Sequence, residues 1–434
     1  MKPIPYAVLK SNFLTGLLAL CFLASPSRAE DIQQLAIPAS DEGLPGQGPI
    51  RRYDWFQNLW LKKRTSWADR IQHDQKSVVF LGDSITQGWT DSFHGHFENL
   101  KKANRGISGD TTRGVLIRME QDVLKLNPAG IVLLIGTNDL EERASPQVIA
   151  DNVDLILDKL HQHRHDMPVI LCQVFPSDAS KKRPASAIRQ INKLYQEFPK
   201  KYPQVTLLDT WTLFADADGN AKAEEFPDLL HPNQLGYSMW AASLRPLLAT
   251  AGFLETTQDS FRIEDGFVSL FNGKNLDGWG FRDQRSMMLK SDFSGKTASN
   301  DGRYQVINGR IVVTTPPEGR RIQQMWTTIN FPENFILKLE FRATPNADSG
   351  VFIRKPQLQC RDYPLAGPYK ELKKYKPQDW NELVIQVKDS IAHCTCNGEI
   401  LENELRLPMT GPIGLEGDRG QMEYRRIRLK RLKN

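Results

Sequence analysis

Three residues far apart in this chain could together perform acyl chemistry. Ser84 stands in Gly82-Asp83-Ser84-Ile85-Thr86, directly after the apolar run at 78–81. A hydroxyl at the carboxyl end of a strand, flanked by glycine, can sit on a sharp turn with a helix N-terminus behind it, which gives a nucleophile access. A serine hydroxyl needs a base to take its proton. Asp228-Leu229-Leu230-His231 supplies an imidazole and, three residues earlier, a carboxylate that can hold its tautomer and stabilise its cation. Two further loops offer hydrogen-bond donors: the backbone of Gly109 in Ile107-Ser108-Gly109-Asp110, and the side-chain amide of Asn138 in Gly136-Thr137-Asn138-Asp139. With the Ser84 N–H they could receive the oxyanion of a tetrahedral intermediate. Each part alone is common; four in order, three of them directly after predicted strands, are much harder to obtain by chance.

The elements that must position them follow from periodicity. Between residues 76 and about 248, short apolar runs at 78–81, 130–135, 169–174 and 205–208 alternate with helical patterns at 113–126, 146–161 and 185–198. Buried runs alternating with helices predict parallel strands covered on both faces, a three-layer α/β domain of flavodoxin-like type, with ligands bound beyond the carboxyl ends of the strands. Before it, residues 30–50 read as an irregular lead-in. Trp55, Leu59, Trp60, Trp67 and Ile71 fit one face of a helix docked on the domain, a reading preferred over a three-Trp sugar platform.

Composition removes several function classes. Of the 434 residues 40% are hydrophobic and 25% charged, which excludes a disordered, collagen-like or coiled-coil chain. The net charge of +5 rests largely on Lys2, Lys10 and Arg28, so the rest is nearly balanced and gives no case for a nucleic-acid partner. Residues 1–29 have a positive start, a twelve-residue apolar stretch at 13–24 and the small-x-small site Ser27-Arg28-Ala29. That pattern predicts a secretory signal peptide cleaved near Ala29 and a secreted or periplasmic protein with no stable membrane insertion. Cys21 leaves with the signal. Cys172 sits in an apolar run, and Cys360 could pair with Cys394 or Cys396, the connectivity being undetermined.

Beyond a linker at 254–265 the pattern changes to period two. Phe335, Leu337, Leu339 and Phe341 alternate with Ile336, Lys338, Glu340 and Arg342, and Asn-Gly turns occur at 272–273, 308–309 and 397–398. Residues 266–434 therefore predict an all-β jelly-roll sandwich. The basic end at 425–433 reads as a last strand with a solvated charged face.

The ordered set of the first half resembles the SGNH (GDSL-type) hydrolase superfamily. Gly-Ile-Ser-Gly-Asp-Thr-Thr-Arg (106–113) and Gly-Thr-Asn-Asp (136–139) are similar to its platelet-activating-factor acetylhydrolase-like branch. The resemblance implies Ser84 as nucleophile, Asp228 and His231 as its partners, and Ser84, Gly109 and Asn138 as oxyanion hole, with no cofactor and no metal. Phe267-Val268-Ser269-Leu270-Phe271-Asn272-Gly273, Asp348-Ser349-Gly350-Val351-Phe352-Ile353-Arg354 and Gly411-Pro412-Ile413-Gly414-Leu415 resemble the 3-keto-disaccharide hydrolase domain, which implies a concanavalin-like fold and a carbohydrate ligand. Where that family often has Glu-x-Gln, this chain has Gln357-Leu358-Gln359, which removes a candidate acid, base or metal ligand and favours glycan binding over cleavage.

Further substrate-binding candidates are Asp83, Arg113, Asp348, Arg354, Gln359 and Glu416. His94 and His96 could border the pocket, His161 and His165 suit a cationic helix end better than a metal, and Asp216-Ala217-Asp218-Gly219 reads as a turn. The expectation is an exported serine esterase acting on a carbohydrate or small acyl ester. The alternatives are a bifunctional enzyme whose C-terminal domain cleaves a glycoside, and a non-enzymatic glycan-binding protein.

Overall fold

The computed structural model describes residues 34–254, 261–314, 323–332, 334–345 and 347–432. The expected signal at 1–29 and residues 255–260 of the expected linker lie outside them.

The first half is a five-stranded parallel sheet: β1 (Val78–Gly82), β2 (Lys102–Gly106), β3 (Gly130–Leu134), β4 (Val169–Cys172) and β5 (Val205–Leu208), in the order β2-β1-β3-β4-β5. Side chains alternate across it. Val79, Leu81, Ile131, Leu133, Val169 and Leu171 join one apolar core, while Val78, Phe80, Val132, Leu134, Ile170 and Cys172 join a second on the opposite face. Two cores on one sheet make three layers. β2 escapes an apolar-run search because it reads Lys-Ala-Asn-Arg-Gly; its polar groups are buried on partners. Asn104 donates to the Thr86 and Thr90 carbonyls, and Arg105 pairs with Asp74 at 2.7 Å. The chain leaves β1 for β2 on one side and reaches β3 on the other, so the strand order switches at the carboxyl end of β1.

The helix Asp54–Asp69 buries Phe56, Trp60, Arg64 and Trp67, a stripe at helical spacing. Trp60 and Trp67 are buried as expected, but Trp55 lies off that stripe and is 52% exposed. Beneath the stripe is a ladder of buried ions. Arg64 pairs with Asp122 at 2.9 Å and Arg118 with Asp110 at 2.8 Å, while the Arg118 guanidinium lies 6.0 and 5.6 Å from the Trp60 and Trp67 rings.

The second half consists of antiparallel sheets, one of eight strands and one of six. Leu337, Leu339 and Phe341 from the larger sheet and Met325, Val351, Ile413 and Leu415 from the smaller share one apolar core, which makes a sandwich. The basic final strand, Gln421–Arg431, corrects the expectation of a solvated face. Arg428 is buried against Glu264 and Glu382, and Arg425 and Arg426 both pair with Glu340. Cys172, Cys360, Cys394 and Cys396 are all free and buried, so none of the pairings left open by the sequence is made. Burial pushes the thiols of Cys172, Cys394 and Cys396 up to about 12. Among the described residues no helix is long and apolar enough to cross a membrane.

Candidate active site

Ser84 opens the short helix Ser84–Gly88 directly after β1, with Asp83 as its N-cap. Its Oγ lies 3.0 Å from His231 Nε2, and His231 Nδ1 lies 2.8 Å from Asp228 Oδ2. A carboxylate can only accept, so Nδ1 carries the proton and Nε2 presents a lone pair to the serine hydroxyl. Asp228 also accepts from the Leu230 and His231 N–H groups at 3.0 and 2.7 Å through Oδ1. Partial burial raises the pKa of this carboxyl, but those hydrogen bonds outweigh it and hold the group below its usual range. The turn needs Leu229 at φ +61°, and its carbonyl is pinned by Ser177 Oγ at 2.8 Å. His231 and Asp228 are 44% and 48% exposed, so the array sits on an open rim.

The two candidate donors follow β2 and β3, the strands that flank β1. Gly109 follows β2 with φ +88°. A Cβ there would come within 2.7 Å of the Trp55 ring and 2.9 Å of Arg51 Nη1, so conformation and space both require glycine. Neither the Ser84 nor the Gly109 N–H enters a turn or cap hydrogen bond among the described residues. Asn138, after β3, is buried. Its Nδ2 donates to the Asp110 carbonyl at 2.9 Å and its Oδ1 accepts from Arg183 Nη2 at 3.0 Å. The structure thus brings Ser84, Asp228, His231, Gly109 and Asn138 to the end of the sheet where the strand order reverses.

Two candidates from the sequence do not line this site. Asp83 is fully buried and caps the helix through Oδ1 to the Ile85 N–H at 2.9 Å. Arg113 is turned to the lead-in, where it holds Asp41 and the Gly48 and Pro45 carbonyls. His94 packs on Tyr237 at a tilt of 39° with 5.0 Å between ring centroids, and burial lowers His96 to about 4. Asp216 accepts from the Asp218 and Asn220 N–H groups, as a turn residue does. Among the described residues no three His, Cys, Asp or Glu side chains are grouped to hold a metal ion.

Burial pushes the Asp83 carboxyl up to about 7, with no hydrogen-bond partner for Oδ2 among the described residues. Its folded pKa lies above its unfolded value, so the folded state binds the proton more tightly. Stability from this group is present below about pH 4 and is lost as pH rises toward 7. Asp83→Asn keeps the cap and removes the charge. It should raise stability at pH 8 by on the order of 4 kcal/mol relative to the native chain, and by far less at pH 4. Urea melts at the two pH values check this.

In the second domain a cleft of about 480 Å³ is lined by Gln324, Trp326, Asp348, Phe352, Gln357, Arg361, Glu416 and others. It lies on the outer face of the six-stranded sheet, because Val351 and Ile353 point inward and Phe352 between them points out. Gln324 and Gln357 each donate to one oxygen of Glu416, at 2.6 and 2.8 Å, and Asp348 pairs with Arg361 at 2.7 Å. Asp348 and Glu416 therefore line the cleft. Arg354 does not: it is buried and spends its guanidinium on the Phe331, Asp389 and Pro408 carbonyls. Gln359 is occupied by Arg361 and is not among the cleft residues. Trp326 and Gln324 are cleft residues that the sequence reading did not single out.

A serine, imidazole and carboxylate in sequence at the carboxyl end of a parallel sheet define a serine hydrolase of the three-layer α/β class. Residues 80–239 match the GDSL-like lipase/acylhydrolase family, and residues 266–430 match the 3-keto-alpha-glucoside-1,2-lyase-like domain. Residues 80–239 thus form an SGNH-type ester-bond hydrolase domain, followed by a C-terminal domain of that second kind. It is similar to human platelet-activating factor acetylhydrolase IB subunit alpha2, 26% identical over 221 residues that cover 50% of this chain and 91% of that one. The alpha1 subunit from Rattus norvegicus is 26% identical over 192 residues, covering 44% and 82%. Among solved structures, a GDSL-like lipase from Bacteroides thetaiotaomicron has 23% identity and a TM-score of 0.39, covering 45% of this chain and 97% of its own.

Proposed function

We propose that this protein is an exported esterase that removes acyl groups, acetyl above all, from a carbohydrate held with the help of its C-terminal cleft. The observation that carries the chemistry is the 3.0 Å approach of Ser84 Oγ to an imidazole already held by Asp228. Ser84 Oγ attacks the ester carbonyl carbon as its proton passes to His231 Nε2. The oxyanion is received by the Ser84 and Gly109 N–H groups and the Asn138 amide. The carbon–oxygen bond to the alcohol then breaks, His231 returns the proton to the leaving alcohol, and water repeats the sequence to release the acid and free Ser84.

Three features support a carbohydrate. The rim is open, which suits an ester carried on a large polar molecule. Trp55 lies against Gly109 with its ring half exposed and parallel to Tyr53, centroids 6.4 Å apart and planes within 9°, a flat apolar surface beside the oxyanion donors. The second cleft combines Trp326 and Phe352, 5.2 Å apart, with amide and charged groups, the mixture that orients a polyhydroxylated ring. Export rests on residues 1–29, and the mature chain should begin at Glu30 by N-terminal sequencing.

The test is acetate release from acetylated glycans by the full chain and by Ser84→Ala. Release confined to the native chain supports the reading; equal release by both removes Ser84 as nucleophile. Trp55→Ala should raise KM for a glycan acetate by about tenfold, and by less for methyl acetate, in line with loss of one aromatic contact.

A second reading is favoured by Glu416, whose carboxyl is raised by burial and so suits a proton donor. In it the cleft also cleaves a 3-keto-glycoside. Ser84→Ala full chain, assayed on such a glycoside, isolates that activity; binding without turnover leaves the cleft as a binding site.

A further inference from the structure

The Asn138 side chain has two faces that differ only in which end is nitrogen. In one orientation an N–H of the amide can face a developing oxyanion; flipped, its carbonyl oxygen would repel it. Two contacts fix the choice. The Asp110 carbonyl can only accept and takes Nδ2, while the Arg183 guanidinium can only donate and takes Oδ1 at 3.0 Å. Arg183 is 3% exposed and is itself held from three sides. Nε donates to the Thr137 carbonyl and hydroxyl at 3.1 Å, Nη1 to the Lys181 carbonyl at 2.6 Å, and Nη2 also meets Glu141 Oε2 at 2.9 Å. Glu141 Oε2 is shared with Arg51, whose Nη1 packs beside Gly109, 2.9 Å from where a Cβ would stand. Asn138, Arg183, Glu141 and Arg51 thus form a run of charge-assisted contacts that ends in packing beside Gly109.

From this we propose that Arg183 is a positioning residue for the oxyanion hole: it sets the orientation of the Asn138 amide, and Glu141 and Arg51 carry the same clasp to Gly109. The proposal rests on the hydrolytic reading of Ser84. It goes beyond that reading because Arg183 touches neither Ser84 nor His231, and Arg51 lies outside the segment that matches the hydrolase family. A lysine cannot replace the fork, since one ammonium cannot hold Oδ1, Glu141 and the Thr137 carbonyl in one plane.

The test is a double-mutant cycle on the full chain with methyl acetate. Asn138→Ala should lower kcat by about 10²–10³-fold. Arg183→Met and Arg183→Lys should each lower kcat by about 10–100-fold with KM within about twofold, the cost of a misplaced donor. In the Asn138→Ala background either change should add less than about threefold, because the group it orients is gone. A purely structural arginine would instead multiply the Asn138→Ala loss by its full single-variant factor, and that outcome overturns the proposal, as does an unchanged kcat in both Arg183 variants. Lys at 183 keeps the buried charge, so the cycle can be read with it if Met prevents folding. If Ser84→Ala retains activity, the hydrolytic reading fails first; if Ser84→Ala is inactive and the cycle is multiplicative, only the clasp fails.

Discussion

Ser84→Ala is expected to lower kcat for ester hydrolysis by on the order of 10⁴–10⁶-fold while leaving the melting temperature within a degree or two. The loss is large because the attacking oxygen itself is removed. The stability is spared because the lost hydrogen bond is made to an imidazole that is 44% exposed and can turn to water instead. His231→Ala should cost about as much, and the double variant little more than either, since the two act as one unit. Asp228→Asn should cost about 10⁴-fold, because an amide facing Nδ1 no longer dictates which nitrogen carries the proton. Steady-state rates on a short-chain ester, with labelling by an organophosphonate, check all four; full turnover by Ser84→Ala would falsify the assignment of the nucleophile.

Arg118→Ala is expected to destabilise the first domain by about 3–5 kcal/mol. Arg118 is fully buried. Its Nε pairs with Asp110 at 2.8 Å, Nη2 donates to the Gly82 and Arg105 carbonyls at 3.1 and 2.9 Å, and its plane faces two indoles. Removing it leaves the Asp110 carboxylate buried, where burial already pushes its pKa up to about 6 against the pull of Arg118. Without that pull the carboxyl should protonate at higher pH. The loss should therefore be smaller at pH 5 than at pH 8, and urea unfolding at both values measures it. Because Asp110 directly follows Gly109, kcat should fall in the surviving folded fraction as well.

The triad was legible because its chemistry forces residue types. No apolar or purely structural demand explains Gly82-Asp83-Ser84 after a buried run together with Asp228-x-x-His231 near the end of the same domain. The layers were legible because both faces of β1 and β3 are covered and their sequences are continuously apolar. What could not be read were polar residues used as internal scaffold. Arg113 and Arg354 look like ligand-binding arginines in sequence and are consumed by backbone carbonyls. Arg428 looks like surface charge and is buried between two glutamates. Arg354 and Arg428 reach partners 23 and 164 positions away, and no local period records such pairings. Arg183 and Arg51 escaped for the same reason, although both are one contact from the oxyanion donors.

The segment that precedes the first strand has a practical consequence. A fragment cut to begin at Lys76 would retain all five strands and the whole triad, yet it would lack the guanidinium and the indole that press on Gly109. Such a truncated enzyme would carry its nucleophile intact beside an unsupported loop. Any recombinant excision, circular permutant or transplant of this hydrolase should start upstream of Pro38, whose carbonyl anchors Arg52 at the head of that segment.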